Sequence, residues 1–359
     1  MTDAAVHFLV PDAIDDDARV SGGNVYDRRL TEALRARGED VRMVAVAEGR
    51  VTDVEHALSA LPHDALVLID GLIAVPASEV LVASATRLRI VVLAHMVASA
   101  TPGMHADART AEREREALDA ARRVITTSGW TRSELMARAL VEPEKIAVAR
   151  PGTDAAPAAI GSESGGHLLC VGAVAPHKGQ DVLVDALAGM TDLPDWTCSI
   201  VGSLDADRDF AIQTAAAIGS AALTERVALT GVLTGQRLAD EYHAADLVVA
   251  PSRVESYGMV VAEALARCIP VVASRAGGLP EAIGASGGGI LVAPDDPAAL
   301  RDVLRRWLAD PRWRATLKAD ALRSGKAVRT WDEPAAIVAG VLDELRATTA
   351  IGPGERSGR

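Results

Sequence analysis

Residues 246–274 read DLVVAPSRVESYGMVVAEALARCIPVVAS. A short, β-branched apolar run opens the stretch and another closes it. Between them lie a polar loop, a glycine and an apolar helical pattern. Strand, turn, helix and strand in so few residues make a βαβ unit, which requires a parallel sheet. Two glutamates sit in this unit, Glu255 in the loop and Glu263 within MVVAEALA. A carboxylate on so apolar a helix is expensive to bury unless something hydrogen-bonds to it; vicinal ligand hydroxyls, a backbone group or an arginine would each serve. Gly258 marks the turn into the helix, so the amides of Gly258, Met259 and Val260 would form an anion site.

The same rhythm runs through the chain. VHFLV, VRMVAV, ALVLI, RIVVLA, RVITTS and KIAVA alternate with helical patterns in the first half, and HLLCVG, TCSIVG, RVALTG, DLVVAPS, IPVVAS and GGILVA do so in the second. The expected fold class is α/β, with two Rossmann-like doubly wound domains facing a cleft lined by strand carboxyl ends. The stretch PGTDAAPAAIGSESGG (151–166) lacks periodicity and reads as an interdomain linker. The boundaries expected are 1–152 for the first domain, 153–166 for the linker and 167–331 for the second. A last helical pattern at 332–347 would pack back on the first domain, with a frayed tail beyond it.

Gross composition narrows the function. The 359 residues are 49% hydrophobic but only 3% aromatic, which suits aliphatic parallel-sheet cores. A net charge of −12 argues against nucleic acid or an anionic membrane surface as partner, so any phosphate must meet a local site. The N-terminus lacks the pattern of a signal peptide, and no run approaches the roughly 20 apolar residues of a membrane span. Cys170, Cys198 and Cys268 lack metal-ligand spacing and read as reduced, buried thiols of a cytoplasmic protein.

Four further places carry possible chemistry. In SGGNVYDRRL (21–30), Gly22 and Gly23 can take positive φ and bring amides to an anion, or can simply make a tight turn. The preceding Asp15, Asp16 and Asp17 read as a solvated loop. In VGAVAPHKGQDVLVDAL, Lys178 opens a helix, where a cation is disfavoured by the dipole but well placed to neutralise a diphosphate. His95 ends the strand VVLAHM and would face the cleft, in a structural or a catalytic role. LDADRD (204–209) spells a metal-binding Asp-x-Asp but lies in the loop before a helix, and no metal is expected there.

Three segments now stand together: VGAVAPHKGQDVLVDAL, RVALTGVLTGQRLADEYHAADLVVAPSRVESYGMVVAEALARCIPVVASRAGGLPEAI, and GGILVAPDDPAALRDVL. Their order resembles the C-terminal domain of family 4 retaining glycosyltransferases, of GT-B architecture, over residues 150–335. The N-terminal half matches more thinly, through SGGNVYDRRLTEALRARGEDV, VVLAHM and VITTSGWTRSEL. The resemblance implies a nucleotide-diphosphate sugar as donor and co-substrate, with no further cofactor. Glu263 would take the ribose hydroxyls and Glu255 the donor sugar. Lys178 and the amides of Ser256, Tyr257, Gly258, Met259 and Val260 would hold the diphosphate. Gly231 and Val232 would border the base, Gly22 and Gly23 would approach the phosphates or the acceptor, and His95 would lie near the reacting sugar. His95, Glu255 and Lys178 are the implied catalytic residues.

One departure stands out: the family usually has an arginine where this chain has Ala173, and Arg150, Arg253 or Arg275 would have to compensate. Cys268, where the family has glycine, reads as packing. The expectation is a metal-independent retaining hexosyltransferase acting on a soluble small-molecule acceptor. A nucleotide-sugar-binding protein with impaired catalysis and a nucleotide-sugar epimerase are the alternatives; a phosphorylase fits less well.

Overall fold

The computed structural model describes residues 5–16, 19–100, 108–285, 287–326 and 328–350. Asp17 of the acidic loop and the tail from Ile351 lie outside these residues. Twelve strands form among them. β1 (Val6–Pro11), β2 (Val41–Val46), β3 (Leu66–Asp70), β4 (Arg89–Ala94), β5 (Arg123–Thr126) and β6 (Ile146–Val148) make one six-stranded sheet, in the order β2-β1-β3-β4-β5-β6. β7 (His167–Val171), β8 (Thr197–Val201), β9 (Val227–Gly231), β10 (Leu247–Ala250), β11 (Val271–Ser274) and β12 (Gly289–Val292) make the other, in the order β12-β11-β10-β7-β8-β9. Every pairing in both sheets is parallel.

Helices cover both faces of such sheets, so central strands must be apolar on both sides. All residues of β1 and β3 are buried, which explains the continuous apolar runs in the sequence. In the second sheet, Trp307 is fully buried among Leu183, Leu187, Leu300 and Leu304, and its Nε1–H donates to Gly165 O at 2.7 Å. The opposite face packs Val248, Val261, Ala264 and Ile283.

The chain divides into two compact units. One gathers the chain up to Ile14, Gly23–Arg150 and the segment from Trp331 onward; the other gathers Asp15–Gly22 and Pro151–Thr330. The last helix, Asp332–Ala350, runs three residues beyond the sequence expectation and belongs to the first unit. Arg37 pairs with Asp332 at 2.6 Å, Arg346 with Glu39 at 2.6 Å, and Arg123 with Glu344. Arg89 donates to Leu345 O, and the Trp331 ring meets Tyr26 edge-on.

The segment read as a linker is not a loose tether. Thr153 N donates to Arg329 O, Ala159 N to Arg267 O, and the amides of Ile160 and Gly161 both to His243 O. Asp246, just before β10 and 2% exposed, then collects the rest: Ser162 N at 2.7 Å, Ser162 Oγ at 2.5 Å, His167 N at 3.0 Å and Lys318 Nζ at 3.3 Å. Burial alone would raise the pKa of this carboxyl, but these donors outweigh it and hold it below the usual carboxylate value. Backbone donors beside a sheet must find acceptors, and a Gly/Ser-rich composition does not reveal that one aspartate supplies them.

Replacing Asp246 with alanine leaves two amides without an acceptor. We expect about 2–4 kcal/mol of lost stability in urea unfolding at neutral pH. Because the folded-state value is depressed, the stabilisation is lost as the pH falls through it, and the gap between wild type and Asp246→Ala narrows in acid.

Candidate active site

In the second sheet the chain passes from β7 to β8 and β9 on one side, then returns to place β10 on the other side of β7. Connections leaving β7 and β10 therefore diverge to opposite faces, opening a crevice at their carboxyl ends. Lys178 lies in the loop after β7 and Glu255 in the loop after β10. Lys178 Nζ donates to Glu255 Oε2 at 2.5 Å, with the two side chains 25% and 19% exposed. The two residues, with Gly258 and Val260, line a common small crevice.

Lys178 does not open the helix, as its position in the sequence suggests. It closes a 3-10 turn, Pro176–Lys178, and Gly179 intervenes before the helix Gln180–Ala188. Gly179 has φ of +69°, and a Cβ there would stand 2.2 Å from Pro251 O. Gln180, wholly buried, donates to Ala173 O at 2.9 Å and so holds the loop from beneath. Of the cations that could replace the missing arginine at 173, Arg253 is committed elsewhere. It makes two bonds to Asp181, at 2.9 and 2.7 Å, one to Pro176 O at 2.5 Å, and pairs with Asp295.

The turn at Gly258 has φ of +98° and ψ of 58°, a left-handed conformation that side chains other than glycine avoid. The helix Met259–Ala266 follows, with its first amides free of intrahelical partners. Tyr257 is buried and its hydroxyl accepts from Arg329 Nη1 at 3.1 Å, so it offers a ligand its main chain and not its ring. Ser256, Met259 and Val260 are half-buried. Gly277, with φ of +55°, packs against the Glu255 backbone, where a Cβ would come within 1.8 Å of Glu255 O. Gly278 N donates to the same carbonyl at 2.8 Å.

The cost of burying Glu263 is met within the protein. Tyr242 Oη donates to Glu263 Oε2 at 2.7 Å, and the Arg267 guanidinium stacks 4.5 Å above the Tyr242 ring. Burial still raises the Glu263 value, against the lowering by Tyr242 and Arg267. Gly231, at φ of +72°, ends β9 in open surroundings, and Val232 follows it half-buried. The carboxylates of LDADRD have structural tasks: Asp207 caps the helix Arg208–Ser220 through Phe210 N, and Asp205 pairs with Arg208.

The first sheet has its own reversal, between β1 and β3. Gly22 and Gly23 are the first residues of the helix Gly22–Ala36, and neither has positive φ. The positive φ open to this pair is not used; a Cβ on Gly23 would rest in ordinary contact, 3.5 Å from the His95 ring. His95 follows β4 and is 8% exposed. Its Nε2 meets Asp27 Oδ1 at 2.8 Å and lies 3.7 Å from Asp70 Oδ2. Both carboxyl groups are 0% exposed. Asp70 Oδ1 accepts Leu72 N at 2.7 Å, whereas Asp70 Oδ2 and Asp27 Oδ2 are buried with no partner.

Burial pushes Asp70 up most, and Asp27 adds to it. For His95 burial acts downward, but Asp27 and Asp70 outweigh it and the net direction is up. Asp27, Asp70 and His95 are also the one trio of metal-capable side chains within 4.8 Å of one another among the described residues. The 2.8 Å contact has the length of a charge-assisted hydrogen bond, with a proton between nitrogen and oxygen. Asp70 and His95 border a cavity of about 540 Å³ within the first unit, which Arg109, Arg113 and Glu114 also line.

The structure thus joins Lys178, Glu255, Gly258 and Val260 in one crevice, holds Glu263 one turn further along the same helix, and sets His95 and Gly23 together in the other unit. Sequence reading missed Asp27, Asp70, Tyr242 and Gln180. No local pattern distinguishes them; each acts on a residue distant in the chain or hidden in a loop.

Known proteins resemble this chain in sequence and in fold. Residues 158–323 match the family model "Glycosyl transferases group 1". The chain is 32% identical over 229 residues to D-inositol 3-phosphate glycosyltransferase of Frankia alni, covering 58% of this chain and 56% of that protein. To the enzyme of the same name from Xylanimonas cellulosilytica it is 40% identical over 170 residues, covering 47% and 40%. The chain therefore spans about half the length of these relatives. Among solved structures, sucrose-phosphate synthase from Thermosynechococcus elongatus superposes with a TM-score of 0.80 at 22% identity, over 96% of this chain and 100% of that one. Anabaena HepE, in complex with UDP and glucose, superposes with 0.74 at 19% identity, over 95% and 100%. The fold is the GT-B type, and residues 158–323, within the second unit, match the glycosyl transferases of group 1.

Proposed function

We propose that the protein is a retaining glycosyltransferase that moves a sugar from a nucleotide-diphosphate sugar to a soluble small-molecule acceptor without a metal ion. The observation that carries this reading is the Lys178–Glu255 pair at the β7/β10 crevice, beside the free amides after Gly258. UDP is the first donor nucleotide to try, because the HepE complex holds UDP and glucose. A polyol or sugar phosphate is the first acceptor class to try, because relatives are named for an inositol phosphate and Arg109 and Arg113 line the cavity of the first unit. The described residues include no helix long and apolar enough to cross a membrane, in keeping with action on soluble substrates in the cytoplasm.

Breaking the anomeric C–O bond builds positive charge on the sugar and negative charge on the departing diphosphate. Lys178 and the oriented amides stabilise the latter, the role a metal plays elsewhere. Glu255 pairs with Lys178. Donor binding exchanges that partner: Lys178 turns to the phosphates, and Glu255 is released to the sugar hydroxyls. Glu263, held on one oxygen by Tyr242, keeps the other for the ribose. The leaving phosphate then takes the proton of the acceptor hydroxyl on the same face, and configuration is retained.

A protein that binds the donor without transfer is the competing reading. It is favoured by Ala173 and by the commitment of Arg253 to Asp181 and Asp295. Incubating the protein with UDP-sugars and polyol phosphates separates the two. Free UDP and an α-linked product, unaffected by EDTA, are expected; donor binding with neither product would establish the competing reading.

Two substitution experiments test the residue roles. Glu263→Ala should weaken nucleotide affinity about tenfold or more by calorimetry, while Glu255→Ala should leave affinity nearly intact and lower kcat about 100-fold. Equal, small effects would refute the assignment. Gly277→Ala forces a Cβ into the Glu255 carbonyl, so it should lower turnover as Glu255→Ala does while the circular dichroism spectrum stays native.

A further inference from the structure

Asp27, on the first helix, Asp70, at the end of β3, and His95, after β4, meet at the reversal of the first sheet. The charge count there is unbalanced. Two carboxyl groups with no exposure face one imidazole, and no lysine or arginine pairs with either among the described residues. The neighbouring Tyr26 ring stands edge-on to His95 at 5.2 Å, and its hydroxyl is spent on Ala149 O at 2.8 Å. Across the cavity, Glu114 is occupied with the amides of Ala98 and Ser99, while Arg109 and Arg113 line the wall. Two ionised carboxylates and a neutral imidazole would bury a double negative charge, an arrangement that proteins avoid by taking up protons.

The orphaned atoms show where the protons go. Asp27 Oδ1 is bonded to His95 Nε2 and Asp70 Oδ1 to Leu72 N, leaving one oxygen unpartnered on each carboxyl. The two carboxyl groups and the imidazole offer atoms that all lie within 4.8 Å of one another. One proton held by the carboxyl pair serves the two free oxygens. A second, on the imidazole, completes the bond to Asp27 and brings the net charge of the trio to zero.

We propose that Asp27 and Asp70 are positioning residues that share one proton and hold His95 as an imidazolium, so that His95 meets an oxygen of the ligand in the adjoining cavity as a hydrogen-bond donor and positive charge, never as a base. With Nε2–H given to Asp27, Nδ1–H is the donor left for that ligand; among the described residues Nδ1 makes no hydrogen bond. The ligand role rests on the glycosyl-transfer reading, whereas the protonation of the trio does not. Acceptor activation then falls to the leaving diphosphate, because no base is left beside His95.

Imidazole ¹⁵N spectroscopy of the intact protein between pH 5 and 10 tests the protonation without any activity assay. His95 should stay protonated through neutral pH and titrate near 9, well above the ordinary 6.5. Asp27→Asn should lower that midpoint by two units or more, a 100-fold loss of proton affinity. Asp70→Asn is the discriminating variant, since its amide N–H replaces the shared proton. It should keep the imidazolium and keep transfer within threefold of wild type, whereas Asp70→Ala should lose transfer tenfold or more. A wild-type His95 midpoint near 6.5 overturns the proposal, as does an Asp70→Asn protein as damaged as Asp70→Ala. Stoichiometric uptake of Zn²⁺ or Mn²⁺ that abolishes the His95 titration also overturns it. If no donor or acceptor reacts but His95 titrates near 9, the trio stands and the transfer reading fails.

Discussion

A parallel strand can be entered from one end only, so every loop that follows a strand collects at the same edge of its sheet. In each unit the strand order reverses once, beside β1 in the first sheet and beside β7 in the second. At those two points helices depart to opposite faces and leave a gap that neither fills. The groups with chemistry to offer sit there: Lys178 and Glu255 at one, Asp70 beside the Asp27-bearing helix at the other. The crevice precedes the side chains logically. Sequence differences at these loops change what is held, while the place of holding is set by the order of strands.

The two sites solve the problem of buried charge differently. In the second unit each acid has a dedicated partner: Lys178 for Glu255 and Tyr242 for Glu263. These pairs are partly exposed or hydrogen-bonded to a neutral hydroxyl, so a ligand can take over from the partner without leaving a bare charge behind. In the first unit the acids outnumber the bases and are closed from solvent, so protons must make up the difference. The first arrangement exchanges partners readily; the second resists change. That contrast suits the proposed roles, a donor exchanging at Glu255 and a fixed donor group at His95.

The strands were legible because parallel cores demand unbroken aliphatic runs, and all twelve runs read from the sequence became strands. Glu255, Gly258 and Glu263 were legible because a carboxylate and a glycine interrupt an otherwise apolar βαβ unit. Asp27 and Asp70 were not. Asp27 looks like any surface acid of an amphipathic helix, and its partner is 68 residues away. Asp70 reads as a breaker in an apolar segment. Gly22 and Gly23 misled for a related reason: a glycine pair permits positive φ, but the helix beginning at Gly22 does not use it. The bonds of the linker segment were not legible either, since a Gly- and Ser-rich composition says nothing of an aspartate at 246 that binds the segment down.

The alanine at 173 is best understood against these contacts. An arginine there would stand in the same loop as Lys178. Here the Ala173 carbonyl is held by Gln180, and the nearby guanidinium of Arg253 neutralises Asp181 and Asp295. In the reaction proposed above, Lys178 would therefore meet the diphosphate as the principal side-chain cation of the crevice, supported by the amides after Gly258. A single ammonium stabilises a leaving diphosphate less than a bidentate guanidinium and an ammonium together. The deficit is smallest when other donors, fixed in place before the donor arrives, share the charge. Gly258, with its left-handed turn packed on Leu279, and Gly277, pressed against the Glu255 backbone, fix those amides in place. In that proposed reaction, rigidity in the glycine turns does part of the work of a second cation.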